Sequence, residues 1–268
     1  MQIYSECADQ GKWKELSERT GLEPTAERTA DGEPYLCIDR DGAISLVSGA
    51  QSLRGDFARM MRRVEPANLN GELVVRAARI RGLSMPLRVA DATAGLGEDS
   101  FLLAAAGYEV QMYEYDPAIA VLLQDALDRA RASDDPALAG IARRMHFQQG
   151  DSRELLRQMK WKPDIVLLDP MFPARRKSGL VRKKLQFIQQ LEKPCDDEHS
   201  LMDAAIAADP RKIIVKRPKN AAYLAGRKPS SQVKGKIIRY DCIVLPGMQR
   251  PEEAGDHNGE VVSASGRA

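Results

Sequence analysis

From Leu87 onward the chain alternates short apolar runs with longer amphipathic stretches. The runs "LRVADA" (87–92), "YEVQMYE" (108–114), "MHFQQ" (145–149), "DIVLLD" (164–169) and "KIIVKR" (212–217) are brief and bounded by polar residues, the pattern of strands. Between them lie "DSFLLAAAG", "PAIAVLLQDALDRARA", "SRELLRQM", "SGLVRKKLQFIQQL" and "HSLMDAAIAA", whose apolar positions recur at helical spacing. Asp116 before Pro117 reads as a helix start and Gly107 as a stop. This alternation predicts an α/β fold: a doubly wound, Rossmann-like sheet, mostly parallel, with helices on both faces. "VKGKIIRYDCIVL" (233–245) is expected to add an antiparallel C-terminal edge. Ligands of such sheets sit at the C-terminal strand ends.

Upstream the pattern differs. "PYLCIDRDGAISLVS" reads as a β-hairpin around an Asp41-Gly42 turn, and the arginine-rich stretch 54–82 as helical from Gly71 onward. The expected organisation is a small N-terminal region over 1–70, a main domain over 71–250, and a polar, disordered tail over 251–268.

Composition narrows the class. With 268 residues, 43% of them apolar, the chain can bury a sizeable core, and no apolar run nears the roughly 20 residues of a membrane span. The start lacks a signal peptide's apolar segment. Cys7, Cys37, Cys195 and Cys242 show no CxxC spacing and there are three histidines, so reduced thiols, a cytoplasmic setting and no metal site are expected. The net charge of +2 hides an asymmetry: residues 1–50 hold ten acids against five basic residues, while 211–240 hold ten basic residues and no acid. A one-signed block suits a polyanion, although a solvated surface reads the same.

The strand ends carry the candidate chemistry. The first opens into "VADATAGLGEDS", where Asp91 ends the strand, Gly95 and Gly97 permit a tight turn, and Asp99 or Ser100 starts a helix. A dinucleotide fingerprint would place a third glycine at Ser100, which argues against an NAD(P)-binding oxidoreductase, the alternative from another class. An acid before the loop suits a ligand bearing an ammonium group. Glu114 lies 19 residues past Gly95, where a carboxylate can accept both ribose hydroxyls. Asp151 and Ser152 stand where an adenine amine could be read, though a helix cap looks the same. Asp169 ends the fourth run. Four polar strand ends around one glycine loop describe a pocket for an adenosine with a charged amino-acid tail, S-adenosylmethionine.

"DATAGLGEDSF" and "LLDPMFPARRKSGLVRKK", with "VKRPKNAAYLA" further on, resemble the ribosomal RNA small subunit methyltransferase J family over about Asp56 to Gly247. The resemblance implies a class I methyltransferase sheet. It also implies transfer of a methyl group to the exocyclic N2 amine of a guanine in 16S rRNA, with the rRNA or small ribosomal subunit as partner. The family's cofactor contacts fall on Glu98, Asp99, Glu114, Tyr115, Asp151, Ser152 and Asp169. Where the family carries a glycine-rich segment before the first strand, "MMRRVEPANLNGE" keeps Arg62, Arg63, Gly71 and Glu72 without the glycines.

The block Asp169-Pro170-Met171-Phe172-Pro173 supplies the expected chemistry. A guanine amine is a weak nucleophile because its lone pair is delocalised into the ring. It must be aimed at the methyl group with its hydrogens held, by Asp169 and the Pro170 carbonyl. Phe172 offers a face for an unstacked base. Met171 stands where the usual amine-methylating motif has a second proline, and an exocyclic amine of tRNA or DNA remains an alternative substrate. Arg62, Arg63, Arg175, Arg176, Lys177, Arg182, Lys183, Lys184, Lys216 and Arg217 are expected to rim the cleft and hold phosphates.

Overall fold

The computed structural model describes residues 1–6, 10–25, 33–170 and 197–245. The first fifth of the chain builds a five-stranded sheet from β1 (Ile3–Ser5), β2 (Pro24–Thr25), β3 (Tyr35–Ile38), β4 (Ile44–Ser48) and β5 (Gln51–Leu53), with α1 (Gln10–Thr20) between β1 and β2. Its order is β2-β1-β3-β4-β5. The predicted hairpin is β3–β4, paired antiparallel from Tyr35↔Val47 to Ile38↔Ile44. Asp39 organises the turn: its Oδ1 accepts the Asp41 and Ala43 N–H groups at 3.0 and 2.8 Å, while Gly42 takes φ +79°. The strands flanking the hairpin carry too few residues to show a period.

A chain of short helices follows: a 3₁₀ turn at Ala58–Met60, α2 (Met61–Val64), α3 (Pro66–Leu69) and α4 (Leu73–Ala78). Helix thus begins before Gly71, where the sequence pattern placed its start. Pro66 forces Glu65 into an extended conformation (ψ 139°) and so separates α2 from α3. Phe57 stacks on Phe101 with ring centroids 4.9 Å apart, and Phe57, Met60, Val74 and Val75 are buried in the same core as Phe101.

The main sheet comprises β6 (Arg88–Asp91), β7 (Glu109–Glu114), β8 (Met145–Gln149), β9 (Ile165–Leu168), β10 (Lys212–Pro218), β11 (Ser231–Lys234) and β12 (Ile238–Val244), in the order β11-β12-β10-β9-β6-β7-β8. Helices α5 (Glu98–Ala105), α6 (Pro117–Arg131), α7 (Pro136–Ala142), α8 (Ser152–Arg157) and α9 (Glu198–Ala207) connect them. β6 through β10 run parallel, and strand order reverses between β6 and β9, which opens a crevice at their C-terminal ends. The C-terminal edge is a hairpin: β12 lies antiparallel between β10 and β11, so 233–245 is more than the single edge strand expected. Asp116 starts α6 as predicted, its Oδ1 accepting from Ala118 N and Ile119 N at 2.9 and 3.0 Å. Helix α7 repeats the device with Asp135-Pro136, in a stretch too short to display a helical stripe.

Apolar cores cover both faces of this sheet, with Val89, Phe101, Leu102 and Leu127 on one and Val166, Leu168, Met202 and Leu224 on the other. The N-terminal sheet packs Ile3, Leu36, Ile38 and Leu46 against Ile119 and Leu122 of α6. Each such buried side chain contributes about 1.5–3 kcal/mol. Among the described residues no helix is long and apolar enough to cross a membrane. The helix expected over 178–191 and the 251–268 tail lie outside the described residues.

Candidate active site

The ends of β6, β7 and β9 meet at the crevice. Thr93 joins two of them: its Oγ1 accepts the backbone N–H of Asp169 at 2.5 Å, and Ala92 N donates to Leu167 O at 3.0 Å. Asp91 is 2% exposed. Its Oδ2 accepts from Ser100 Oγ at 2.6 Å and its Oδ1 from Thr93 N at 3.2 Å. Burial pushes its carboxyl up to about 7 against those hydrogen bonds, with the Asp99 and Asp169 charges adding to the rise. Asp91 therefore lies behind the glycine loop, holding both of its ends, rather than on an open face toward a ligand.

The loop itself carries two left-handed glycines. Gly97 takes φ +74°, and a Cβ there would come within 2.8 Å of Leu123 Cδ1, so its glycine serves close packing on α6. Gly95 takes φ +53° and faces open space, since a Cβ there would meet nothing within 4 Å. Across from it, Glu114 Oε2 accepts from Gly95 N at 2.9 Å and Oε1 from Asp116 N at 2.8 Å. Burial pushes Glu114 up to about 7, opposed by these backbone N–H groups. Its neighbour Tyr115 is 69% exposed. Asp151 caps α8 by accepting from Arg153 N at 2.9 Å, and the Arg153 guanidinium beside it holds its carboxyl below the ordinary range. Ser152 is buried at the same helix start.

Lys216 departs from the expected phosphate rim. Its Nζ lies 2.8 Å from Asp169 Oδ2 and 3.0 Å from Asp99 Oδ2. Burial works against its charge, but the two carboxylates outweigh it and hold the lysine well above its ordinary pKa. Tyr240 completes the cluster, donating to Asp99 Oδ2 at 2.8 Å. Register explains the inward turn: Lys216 and Tyr240 are Cα partners across β10 and β12. Burial raises the Asp169 carboxyl, and Lys216 pulls it back down. Arg217 likewise leaves the rim. It is 4% exposed, donates to Ala222 O at 2.9 Å and pairs with Glu198 at 3.3 Å.

Arg62 and Arg63 do sit on the surface. Arg63 forks onto Glu72 with two bonds of 2.8 Å, which joins two of the residues retained in "MMRRVEPANLNGE". They line an open cleft with Arg59, Asn68 and Gly71. Phe172, Arg175, Arg176, Lys177, Arg182, Lys183 and Lys184 lie outside the described residues. The pattern of the sequence missed Thr93 and Tyr240. Thr93 stood inside the quoted loop as a neutral residue, and the cross-strand register that brings Tyr240 to Asp99 leaves no local signal.

The family described as "Putative SAM-dependent methyltransferase" matches residues 43–245. A ribosomal RNA small subunit methyltransferase J from Thioalkalivibrio sulfidiphilus is 38% identical over 228 residues, spanning 82% of this chain and 88% of that protein. The chain belongs to the ribosomal RNA small subunit methyltransferase J family. The Pseudomonas aeruginosa protein of the same name is 37% identical over 253 residues, spanning 89% of this chain and 91% of its own. A crystal structure of a SAM-dependent methyltransferase from Neisseria gonorrhoeae superposes with a TM-score of 0.67 at 28% identity, covering 93% of this chain and 99% of that one.

Members of the methyltransferase J family are S-adenosylmethionine-dependent enzymes, and the residues here fit that cofactor. The outer face of Gly95 is bare backbone. Glu114 keeps acceptor capacity beyond its backbone bonds. The carboxylates of Asp99 and Asp169, with one shared lysine, leave excess negative charge for a cationic ligand. Among the described residues no group of His, Cys, Asp and Glu could hold a metal ion.

Proposed function

We propose that this methyltransferase acts on the exocyclic N2 amine of a guanine in small-subunit (16S) rRNA, in the cytoplasm. Membership of the methyltransferase J family supports the substrate class. The observation that carries the chemistry is the position of Asp169, fixed at the end of β9 by Thr93 and Lys216 and followed directly by Pro170. S-adenosylmethionine, when bound, supplies an electrophilic methyl group on a sulfonium. Asp169 and the Pro170 carbonyl accept the hydrogens of the target amine, which frees its lone pair for attack and orients it. Glu114 takes the ribose hydroxyls, exposed Tyr115 offers a face to the adenine, and the Gly95 turn admits the amino-acid tail. Glu98 and Asp99 open α5 beside that tail, with Asp151 and Ser152 at the next strand end. Phe172 supports the unstacked base, and Arg62, Arg63 and the basic residues after the motif hold phosphates.

The test is methyl transfer to small-subunit particles from cells lacking this gene, followed by mass spectrometry of nucleosides. Appearance of N2-methylguanine in 16S rRNA is expected. Methylation of another base, or of tRNA or DNA in preference to the particle, overturns the assignment.

A further inference from the structure

The fold divides the ten basic residues of 211–240 in half. Arg211 pairs with Asp164, Lys212 donates to the carbonyls of Ala77 and Arg79, Lys216 bridges Asp99 and Asp169, Arg217 pairs with Glu198, and Arg239 pairs with Asp241. Lys219, Arg227, Lys228, Lys234 and Lys236 are exposed and make no ion pair among the described residues. Three of these stand together. Lys219 follows the last residue of β10 and donates its backbone N–H to Ile237 O at 2.8 Å. Lys234 and Lys236 flank Gly235 in the turn between β11 and β12, and β12 begins opposite the end of β10, Ile238↔Pro218. Because β10 runs parallel to β9 with Val215↔Leu168, this tip and Asp169 lie at the same end of the sheet.

The tip is held in place before any ligand arrives. Arg239 is 4% exposed and donates to the carbonyls of Pro218, Lys219 and Ala221 at 2.9, 2.6 and 2.9 Å. Gly235 sits on α4, where a Cβ would come within 2.6 Å of Leu73 Cδ1. Leu73 directly follows Glu72, the partner of Arg63. The hairpin tip therefore abuts the cleft of Arg59, Arg62 and Arg63, where Arg62 is also exposed and makes no ion pair among the described residues. Ile237, 80% exposed, stands beside the lysines.

We infer that Lys219, Lys234, Lys236 and Ile237 form a preformed arm that docks the sugar-phosphate backbone of the substrate RNA, continuous with the Arg62–Arg63 cleft across the Leu73–Gly235 contact. This inference rests on the rRNA reading. Lysine ammoniums hold phosphates as point charges without reading sequence, and Ile237 gives a ribose or base an apolar face between them. A prefolded tip loses little conformational freedom on binding, so its charges act at full effect.

The experiment combines Lys219→Gln, Lys234→Gln and Lys236→Gln in the full chain. Binding to a naked 16S rRNA fragment and to small-subunit particles is measured across a salt series. Expected are at least about tenfold weaker binding and a salt slope shallower by about two to three, with S-adenosylmethionine affinity and melting temperature unchanged. Replacing the three lysines by Arg should preserve wild-type binding. An unaltered affinity and slope overturns the inference. So does weaker particle binding with an unaltered slope on naked RNA, which would make the tip a contact for ribosomal protein. Wild-type enzyme that leaves rRNA unmethylated overturns the function reading itself, and that result is read before any variant.

Discussion

Lys216 Nζ lies 2.8 Å from Asp169 Oδ2, and the same ammonium reaches Asp99 Oδ2 at 3.0 Å. One partly buried charge thus ties the end of β9, where the target amine is expected, to the first turn of α5, where the cofactor's tail is expected. Burial raises the Asp169 carboxyl above its ordinary range, and Lys216 opposes this. If ionised Asp169 accepts the amine hydrogens, Lys216→Met lets its pKa climb further. The acid limb of the kcat profile should then move to higher pH, with turnover at neutral pH falling about tenfold or more. Lys216→Arg keeps the charge and should restore the limb. A role in packing alone would lower the melting temperature and leave the limb in place.

Asp169 itself is the sharper test. Asp169→Ala should depress turnover on the order of a hundredfold, as loss of one preorganised transition-state contact does elsewhere. Asp169→Asn keeps an acceptor oxygen and should retain more activity than Ala. Single-turnover methyl transfer on unmodified particles measures both. An Asp169→Ala enzyme working at the wild-type rate would remove the carboxylate from the mechanism.

The central strands β6, β7, β9 and β10 were legible because they are largely buried between helical layers and read as bounded apolar runs, as "IVLL" of β9 does. The acids at the strand ends were legible for the same reason, since a polar residue closing an apolar run marks the crevice. Pairing was not. Lys216 and Arg217 looked like continuations of a basic rim, yet the β10–β12 register turns Lys216 toward Tyr240 and Asp99, and Arg217 folds back onto Glu198. Charge in sequence says how many cations there are; only the fold says which remain unpaired. β1, β2 and β5 escaped notice because two or three residues cannot display a period of two.

Glu114 predicts a proton linked to cofactor binding. Burial raises it from 4.5 to about 7. In the free enzyme this favours the protonated folded state, so its contribution to stability is fully present below about pH 4.5 and is lost as pH rises through about 7. A cofactor of net positive charge favours the ionised carboxylate instead. S-adenosylmethionine binding near pH 7 should therefore expel protons and tighten as pH rises through that range. Calorimetry in buffers of different ionisation enthalpy should show the release, and Glu114→Gln should reduce it while weakening binding by about 1.5–3 kcal/mol. Equal heats in all buffers would contradict it.

Arg239 and Asp241 supply the last prediction. The pair is buried, with side chains 4% and 3% exposed and bonds of 2.9 and 3.0 Å, and Gln232 donates to the same carboxylate. Arg239→Met leaves Asp241 buried without its cation and should cost about 3–5 kcal/mol, read as a lower urea midpoint. Adding Asp241→Leu removes the stranded charge and should recover much of that loss, since a buried ion pair and an apolar pair of similar volume are often close in stability. RNA affinity should not recover with it. The carbonyls of Pro218, Lys219 and Ala221 still lack the donor that holds the loop, which leaves Lys219 tied to the hairpin chiefly by its backbone bond to Ile237 O and loosens the setting of its side chain. A double variant that regains both stability and RNA affinity would show that the arm does not depend on this staple.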